Sequence, residues 1–545
     1  MKSTIAVVML AATVTAAAQV MTPVAGDPVT IDSGRVSGSL GTGLKTYFGI
    51  PFAAPPIREN RWREPQPVKP WDGILTATRM PAECVQNLRS PSINHYFGDE
   101  LAGEDCLYLN IWAPAAAKAG AKLPVVVWIY GGAFNLGSAS SAIYAGDALA
   151  KKGVIYVAAN YRLGIMGFLA HPEATKESGH GASGNWGFLD QVASLKWIRK
   201  NIAAFGGDPS NVTLIGQSAG SMSINNLQAS PLAKGLFSRV IGLSGATVRG
   251  GPSGAAGTPL EAAEAQGVKL QDALKAKSLS DMRGISSDKI VAAAQTGGVR
   301  AGPSIDGYYL PQSVDAIFAA GRQSDVAVLT GHTANDMGTT PAIRSAKTVA
   351  EYTAAARQMY GENAAELLKL YPAKTDAEAV HQADEIGRNS GFGMGARNWA
   401  KAQTKTGKQP AYLYILSRVQ PFTPGVTFTD FTPATAGAYH MGDVPYFLGT
   451  YEAFNLFRTT RNWTPWDKAL STALQDVVVA FAKTGSPNTK TVTFTRYDPA
   501  NEMRVEFGDT IRIEKLFTAG LDFIDATPAA AGPGRGGRGG GAPRR

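Results

Sequence analysis

The sequence has few of the residues that usually build metal sites: six histidines and two cysteines among 545 residues. It contains neither a His-Glu-x-x-His motif nor paired-cysteine spacings, so it offers little support for a metallohydrolase, and we expect no metal or cofactor. No basic stripe alternates with aromatic residues, which argues against a nucleic-acid partner. No segment beyond the N-terminus approaches the length that spans a bilayer, so we expect no stable membrane insertion.

The N-terminal segment MKSTIAVVMLAATVTAAAQV places one lysine before a short apolar run that ends in three alanines, residues 16–18. This order is typical of a secretory signal peptide over residues 1–18, and we expect cleavage before Gln19. The mature chain is then predicted to be secreted or periplasmic. In an oxidising compartment Cys84 and Cys106 can form a disulfide, which would stabilise the fold by about 3 kcal/mol. Two buried free thiols are the alternative.

The C-terminal segment differs in composition from the rest of the chain. Overall, 44% of the residues are hydrophobic and 17% are charged, as in an ordinary folded protein. Residues 527–545, TPAAAGPGRGGRGGGAPRR, lack the apolar groups that offset the entropy of ordering, so we expect a disordered tail. This tail also carries four of the arginines behind the net charge of +9. We therefore expect one folded domain over residues 19–526.

Short apolar runs rich in valine and isoleucine recur along the chain and predict strands that are buried on both faces. Helical or loop sequence separates them, and this alternation predicts an α/β fold with a mostly parallel central sheet and helices on both faces. The runs are LPVVVWIY (123–130), GVIYVAANYR (153–162), NVTLIG (211–216), SRVIGLSG (238–245), DVAVLTG (325–331) and AYLYILSR (411–418).

Three longer segments predict helices. Residues 187–209 have apolar residues at helical spacing and end in a Gly-Gly stop signal. Residues 249–300 and 340–410 are largely helical in pattern, and we expect both to be additions to the central α/β core. Insertions of this kind are expected to lie over the active site.

The stretch Gly216-Gln217-Ser218-Ala219-Gly220 follows a predicted strand and precedes helix-compatible sequence. A Gly-x-Ser-x-Gly motif alone is weak evidence, but this context is the one that a nucleophile elbow requires. In such a turn the flanking glycines remove a steric collision, and the N–H of Ala219 at the helix start can stabilise an oxyanion.

A reactive serine needs a base and a carboxylate that orients the base. In an α/β hydrolase the acid and then the histidine follow the serine, which leaves His332, His381 and His440. His440 leaves the longest stretch of sequence after Ser218 in which the acid can lie, whereas His381 lies in a polar helical run. Asp336 follows a predicted strand, where a carboxylate can face the active crevice, so it is favoured over Asp325 at the start of that strand.

Further oxyanion donors are expected from a glycine loop after an early strand. The segment VVVWIYGGAFNLGS, residues 125–138, fits this requirement with Gly131, Gly132 and Ala133. Backbone N–H groups reach a substrate oxygen only where side chains do not intrude. An ordinary glycine-rich connection is the alternative.

These segments and their neighbours resemble the type-B carboxylesterase family of α/β hydrolases, which includes cholinesterases and some lipases. The resemblance extends over about residues 30–520 and rests on seven ordered motifs. They are YFGIPFAAPP (47–56), GEDCLYLNIW (103–112), VWIYGGAF (127–134), NYRLGIMGF (160–168), GNWGFLDQ (184–191), NIAAFGGDPSNVTLIGQSAGS (201–221) and GAYHMGDVPY (437–446).

The resemblance assigns a role to each candidate residue. It implies Ser218 as nucleophile, His440 as general base and Asp336 as its carboxylate partner. It further implies an oxyanion hole formed by the N–H groups of Gly132, Ala133 and Ala219, and substrate contacts from Gln217 and Phe134. It also implies a disulfide between Cys84 and Cys106. Two buried ion pairs are implied as well, Arg61 with Glu104 and Arg162 with Asp190.

Some positions depart from the family pattern. Asp336 stands where the family usually has Glu, so its backbone must approach His440 more closely. Gln217 replaces a common Glu, and no Trp lies between the two cysteines, where only Tyr96 and Phe97 are nearby. The last two changes argue against a choline ester. The Gly-Ala loop resembles those that accept bulky alcohol esters.

We therefore expect a secreted serine carboxylesterase that acts on a small-molecule ester through an acyl-enzyme, as a monomer or weak oligomer. An amidase, lactonase or transesterase with the same triad is not excluded. A non-catalytic, cholinesterase-like binding protein is the alternative from a different class.

Overall fold

The computed structural model describes residues 22–23, 28–86, 101–248, 258–336, 341–428 and 432–527. The expected signal peptide, the tail beyond Thr527, and Tyr96 with Phe97 lie outside the described residues.

A sheet that has twelve strands within the described residues forms the centre of the molecule. In chain order these strands are β1 (Thr22–Pro23), β2 (Ser39–Gly41), β3 (Leu44–Pro51), β4 (Tyr108–Pro114), β5 (Leu123–Ile129), β6 (Ile155–Ala159), β7 (Gly207–Gln217), β8 (Arg239–Leu243), β9 (Ala327–Thr333), β10 (Ala411–Leu416), β11 (Met503–Phe507) and β12 (Ile511–Lys515).

The order of strands across the sheet is β1-β2-β3-β4-β6-β5-β7-β8-β9-β10-β11-β12. Neighbours from β6 through β11 are parallel, and the strands at both ends pair antiparallel. The six strands predicted from apolar runs are β5 to β10 and occupy the parallel part. Most of their residues are buried, as expected for strands covered on both faces. The predicted α/β-hydrolase architecture is confirmed.

The α-helices surround this sheet. They are α1 (Asp147–Lys151), α2 (Gly164–Phe168), α3 (Pro172–Glu177), α4 (Trp186–Asn201), α5 (Ala219–Ala229), α6 (Leu260–Leu274), α7 (Leu279–Arg283), α8 (Ser287–Thr296), α9 (Val314–Ala319), α10 (Pro341–Arg344), α11 (Val349–Tyr360), α12 (Ala364–Leu370), α13 (Asp376–Asn389), α14 (Phe392–Thr406), α15 (Pro433–Ala436), α16 (Val444–Leu448), α17 (Pro465–Thr484) and α18 (Thr518–Ala526). No described helix is long and apolar enough to cross a membrane.

The helix predicted over residues 187–209 is α4, which is shorter than its pattern. It passes into a 3-10 turn, and Gly206 ends that turn with a left-handed φ of 93°. β7 then starts at Gly207, so the second glycine of the stop signal already belongs to the sheet.

The two regions expected as additions are helical, but one of them also supplies the core. α6 to α8 fall in the first region and α10 to α14 in the second. α14 packs against β9 and β10 and buries Trp399 completely. The expectation that residues 340–410 are an addition to the core is therefore wrong for α14, because the apolar face of this helix covers the sheet.

Three long-range links predicted by resemblance are present. Cys84 and Cys106 form a disulfide. Arg61 pairs with Glu104 at 2.6 Å, and Arg162 pairs with Asp190 at 2.7 Å. The Arg162–Asp190 pair is buried, so removal of one partner would leave an uncompensated charge in the interior.

Candidate active site

Ser218 occupies a strained turn between the end of β7 and the start of α5. Its backbone lies at φ 56° and ψ −123°, a conformation that side-chain-bearing residues rarely adopt. The Ser218 N–H donates to the carbonyl of Leu243 at 2.8 Å, which anchors the turn to β8. The N–H of Ala219 opens α5 and therefore has no partner within the helix. The predicted elbow is thus present as a strand, a turn and a helix.

The glycines of the elbow allow close approach of the neighbouring strand. A Cβ on Gly220 would lie 2.0 Å from the carbonyl oxygen of Ile129, and a Cβ on Gly216 would lie 2.7 Å from the same oxygen. Ile129 is the last residue of β5 and pairs with Gly216. The small residues are therefore required mainly by β5.

The glycine loop after β5 lies beside the elbow. A Cβ on Gly131 would lie 2.5 Å from the carbonyl oxygen of Gln217 and 3.0 Å from the Cβ of Ser218, so the loop passes close to the elbow. Gly132, Ala133 and Phe134 all have left-handed backbones, with φ of 106°, 54° and 63°. The structure thus brings the predicted donor loop to the serine.

Phe134 belongs to an aromatic cluster below this loop. Its ring packs edge-to-face on Phe168 and Phe188, with centroid distances of 5.5 and 5.7 Å. The side chain is 8% exposed, so it supports the loop from the interior. Its proposed contact with substrate stays a prediction.

His440 and Asp336 meet in the interior next to the elbow. His440 Nδ1 lies 2.6 Å from Asp336 Oδ1, and both side chains are buried. Asp336 follows β9 by three residues, and its backbone carbonyl accepts a bond from Arg344 at 2.7 Å. The shorter Asp side chain thus reaches the ring. His381, by contrast, is exposed on α13, as its polar surroundings predict.

The two partners shift each other's pKa in opposite directions. Burial favours a neutral Asp336, but the charge and hydrogen bond of His440 hold the pKa of this carboxyl below its usual value. Burial also favours a neutral ring, yet the Asp336 carboxylate raises the pKa of His440 above its ordinary value. An ionised Asp336 fixes the proton of a neutral ring on Nδ1, which leaves Nε2 as an acceptor.

The side-chain amide of Gln217 forms a hydrogen bond with that acceptor. Its Nε2 lies 3.1 Å from His440 Nε2, so the amide donates to the lone pair of the ring. The side chain is fully buried. Its predicted contact with substrate stays a prediction, while the contact with His440 was not foreseen.

Two more residues around His440 were missed by sequence reasoning. The ring of Phe392 stacks on the imidazole at a centroid distance of 5.1 Å. Asp443 is fully buried, and burial raises its pKa to about 6 against the hydrogen bond that Tyr414 donates to it at 2.8 Å. The position of Asp443, three residues after His440, was the available signal.

The chemistry-bearing groups gathered here are a hydroxyl, an imidazole and carboxylates beside backbone N–H groups. In the part of the chain that the structure describes, no group of three or more His, Cys, Asp or Glu residues is placed to hold a metal ion.

Comparison with known proteins identifies the family. A sequence model described as "Carboxylesterase family" matches residues 26–523. The chain belongs to this family. This carboxylesterase is 35% identical over 490 residues to the fumonisin B1 esterase of Sphingopyxis macrogoltabida, covering 88% of this chain and 86% of the relative. It is 33% identical over 495 residues to the para-nitrobenzyl esterase of Bacillus subtilis (strain 168), covering 89% and 96%.

Further relatives and solved structures agree with this assignment. The carboxylesterase is 30% identical to the human cocaine esterase over 488 residues, which covers 84% of each chain. A solved structure titled "PNB esterase" superposes with a TM-score of 0.74 at 30% identity and covers 91% of this chain and 99% of that one. The carboxylesterase is therefore a carboxylic ester hydrolase.

Proposed function

We propose that Ser218, His440 and Asp336 form a triad that hydrolyses carboxylic esters through an acyl-enzyme intermediate. The observation that carries this proposal is the 2.6 Å contact of His440 Nδ1 with Asp336 next to the strained turn of Ser218. A residue held in a rare backbone conformation, beside a buried and charge-stabilised base, fits an activated nucleophile.

In the first half of the reaction, the Gln217 amide moves off His440 Nε2. The freed Nε2 takes the proton of the Ser218 hydroxyl as Oγ attacks the ester carbonyl. Asp336 stabilises the imidazolium that forms. The tetrahedral intermediate collapses, the C–O bond to the alcohol breaks, and His440 returns the proton to the leaving oxygen. In the second half His440 deprotonates a water molecule, which attacks the acyl carbonyl. The bond to Ser218 Oγ then breaks, His440 returns the proton to Oγ, and the acid leaves.

We assign the stabilisation of the oxyanion in both intermediates to the N–H groups of Gly132, Ala133 and Ala219. The close approach of Gly131 to Gln217 and Ser218 supports this assignment, because it brings the loop beside the nucleophile. Loss of one such donor typically costs about 3–4 kcal/mol of transition-state stabilisation. The donors are backbone groups, so they need no side-chain reorganisation during the reaction.

The decisive test is Ser218→Ala, assayed with a p-nitrophenyl ester and with a fluorophosphonate that labels reactive serines. We expect turnover to fall by at least about 10³-fold and labelling to disappear, while the melting temperature stays close to that of the natural protein. Ser221→Ala in the same helix is a matched control and should still be labelled. Substantial turnover by Ser218→Ala would overturn the triad.

We also propose that the chain is exported and that its signal peptide ends at residue 18. The disulfide between Cys84 and Cys106 supports this, because such bonds persist in oxidising compartments. N-terminal sequencing of the mature protein is expected to begin at Gln19. A first residue of Met1 or Lys2 on protein recovered from the cytoplasm would contradict export.

The substrate is proposed to be a small-molecule ester with a bulky alcohol part, in line with the resemblance of the Gly132–Ala133 loop to loops that accept such esters. The relatives' names mention fumonisin B1, para-nitrobenzyl and cocaine, which are chemically different from one another. A panel of esters varied separately in acyl and alcohol size, assayed for kcat/KM, tests this. A sharp preference for acetate esters of short linear alcohols would count against it.

A further inference from the structure

The loop that carries two of the proposed oxyanion donors is strained and depends on contacts from outside. Ala133 and Phe134 both lie in the left-handed region, at φ of 54° and 63°. Non-glycine residues in such conformations cost about 1–3 kcal/mol each and persist only where the surroundings hold them. The surroundings of this loop therefore decide where its N–H groups point.

Part of the support lies within and below the loop. The N–H of Leu136 donates to the carbonyl of Gly132 at 3.1 Å, and the N–H of Gly164 donates to the carbonyl of Phe134 at 2.7 Å. These bonds define the path of the loop as far as Leu136. The end of the loop at Gly137 is held differently.

Gly137 packs directly on the start of the loop. A Cβ at this position would lie 2.5 Å from the ring of Tyr130 and 2.8 Å from the carbonyl oxygen of Gly131. A displacement of Gly137 would therefore move the backbone that precedes the donors. Its own φ of 124° suits glycine.

The side-chain amide of Gln86 binds both backbone groups of Gly137. The N–H of Gly137 donates to Gln86 Oε1 at 2.9 Å, and Gln86 Nε2 donates to the Gly137 carbonyl at 3.1 Å. Gln86 Nε2 also lies 3.2 Å from the carbonyl of Cys84. One amide thus joins the oxyanion loop to the disulfide-bonded segment.

Neighbouring bonds connect the same two segments. Asn160 accepts from the N–H of Ala139 at 2.9 Å and donates to the carbonyl of Ala82 at 3.0 Å. The hydroxyl of Ser140 donates to the carbonyl of Pro81 at 3.2 Å. Residues 81–86 therefore form a strip along residues 137–140.

We propose that Gln86 is a positioning residue that holds the oxyanion loop in its active conformation through Gly137, with the Cys84–Cys106 disulfide as its anchor. The inference rests on the proposed role of Gly132 and Ala133. Without Gln86, two polar groups of Gly137 lose their partner and the strained loop relaxes. Because the donors act on charge that develops in the transition state, the loss falls on kcat and leaves KM nearly unchanged.

The test compares Gln86→Ala, Gln86→Glu and the control Gln66→Ala, whose amide donates to the Glu64 carbonyl on the exposed surface. We expect kcat to fall about 10- to 100-fold in Gln86→Ala with KM within about twofold. Gln86→Glu keeps the acceptor for the Gly137 N–H but turns the donor toward the Glu83 side chain into a second carboxylate, so its kcat should fall at least as far as that of Gln86→Ala. Gln66→Ala should match the natural enzyme. An unchanged kcat in both Gln86 variants, or a loss carried by KM, overturns the inference.

The role of the disulfide is tested by combining Cys84→Ser and Cys106→Ser with Gln86→Ala. Both changes release the same segment, so their effects on kcat should be clearly less than multiplicative. Multiplicative effects would overturn the anchor. Ser218→Ala is measured alongside: its activity would remove the proposed function itself, whereas an inactive Ser218→Ala with a fully active Gln86→Ala removes this inference alone.

Discussion

At the scale of single residues, His440 is surrounded by groups that act on its protonation. Asp336 lies on the Nδ1 side, and the charge of the buried Asp443 raises the pKa of the ring further. His332 lies near Asp336, and burial lowers its pKa to about 4, so it is neutral at pH 7. Gln217 contributes no charge at Nε2. Two carboxylates, Asp336 and Asp443, therefore raise the pKa of the His440 ring.

This environment sets the acidic limb of the pH profile, the range in which activity declines as the pH falls. The proposed base must be neutral, and its pKa is raised above the ordinary value, so kcat/KM should decline as pH falls through a value above about 6.5. Asp443 titrates near 6 and loses its charge further down the same limb. A profile of kcat/KM between pH 5 and 9 measures this, and a limb centred well below 6.5 would contradict it.

Gln217→Glu should move this limb to higher pH. A carboxylate beside Nε2 stabilises the imidazolium, so more of the base is protonated at a given pH. We expect kcat/KM at pH 6.5 to fall about 3- to 10-fold, with less effect at pH 9. Gln217→Met, similar in size and uncharged, only removes the amide donor that favours the neutral ring, so its midpoint should move upward by less than that of Gln217→Glu. A limb that moves equally in both variants would show a packing effect instead.

The sequence predicted which residues lie together at the candidate site but not all of their contacts. Asp336 was favoured because it follows a strand, and the structure places it at His440 as that reasoning requires. The bond of Gln217 to His440 joins residues 223 positions apart, and that of Gln86 to Gly137 joins residues 51 apart. Such contacts depend on side-chain direction after folding, which no local pattern encodes.

At the scale of elements, the elbow depends on the closeness of β5 to the start of α5. Gly220→Ala would place a methyl group 2.0 Å from the Ile129 carbonyl, whose strand is fixed by pairing with β7. We expect the free energy of unfolding to fall by about 1–3 kcal/mol, with loss of esterase activity. Urea denaturation and an ester assay measure both.

Gly302→Ala is the matched control for that substitution. A Cβ at Gly302 meets open space, so stability and activity should both be retained. Equal stability of the two variants would show that the approach of β5 to α5 is not tight.

The elements themselves were predictable to different degrees. Short β-branched runs give strands buried on both faces, and all six predicted runs lie in the parallel part of the sheet. α14 was misjudged because its polar residues suggested an outer addition, while its buried side includes Phe392 and Trp399. Amphipathic helices look alike in sequence whether they cover a sheet or an outer surface.

At the scale of the whole molecule, the proposed boundary at residue 526 follows from packing. α18 is the last described helix and buries Leu521 and Ile524. A chain of residues 19–526 should therefore melt within about 2 °C of the longer chain and keep its kcat/KM within about twofold. A further cut after Leu516 removes both buried side chains and should lower stability by several kcal/mol. Differential scanning calorimetry and an ester assay distinguish the two.

An equal loss of stability in both shortened chains would contradict this boundary, because it would assign a structural role to the tail.

The net charge of the chain gave less information about the protein than the pattern of buried residues did. Arg162 and Asp190 lie inside the protein and pair with each other, so they contribute nothing to the field that a partner meets.

The parallel sheet also bears on how such an enzyme changes over time. Its ladder is made by main-chain groups, which every amino acid except proline can supply, whereas Ser218, Asp336 and His440 lie in connections at or beyond strand ends. Connections can lengthen, shorten or exchange their side chains while the ladder stays paired. New specificities can therefore arise in this architecture through changes in the connections at the strand ends, while the sheet itself is inherited unaltered.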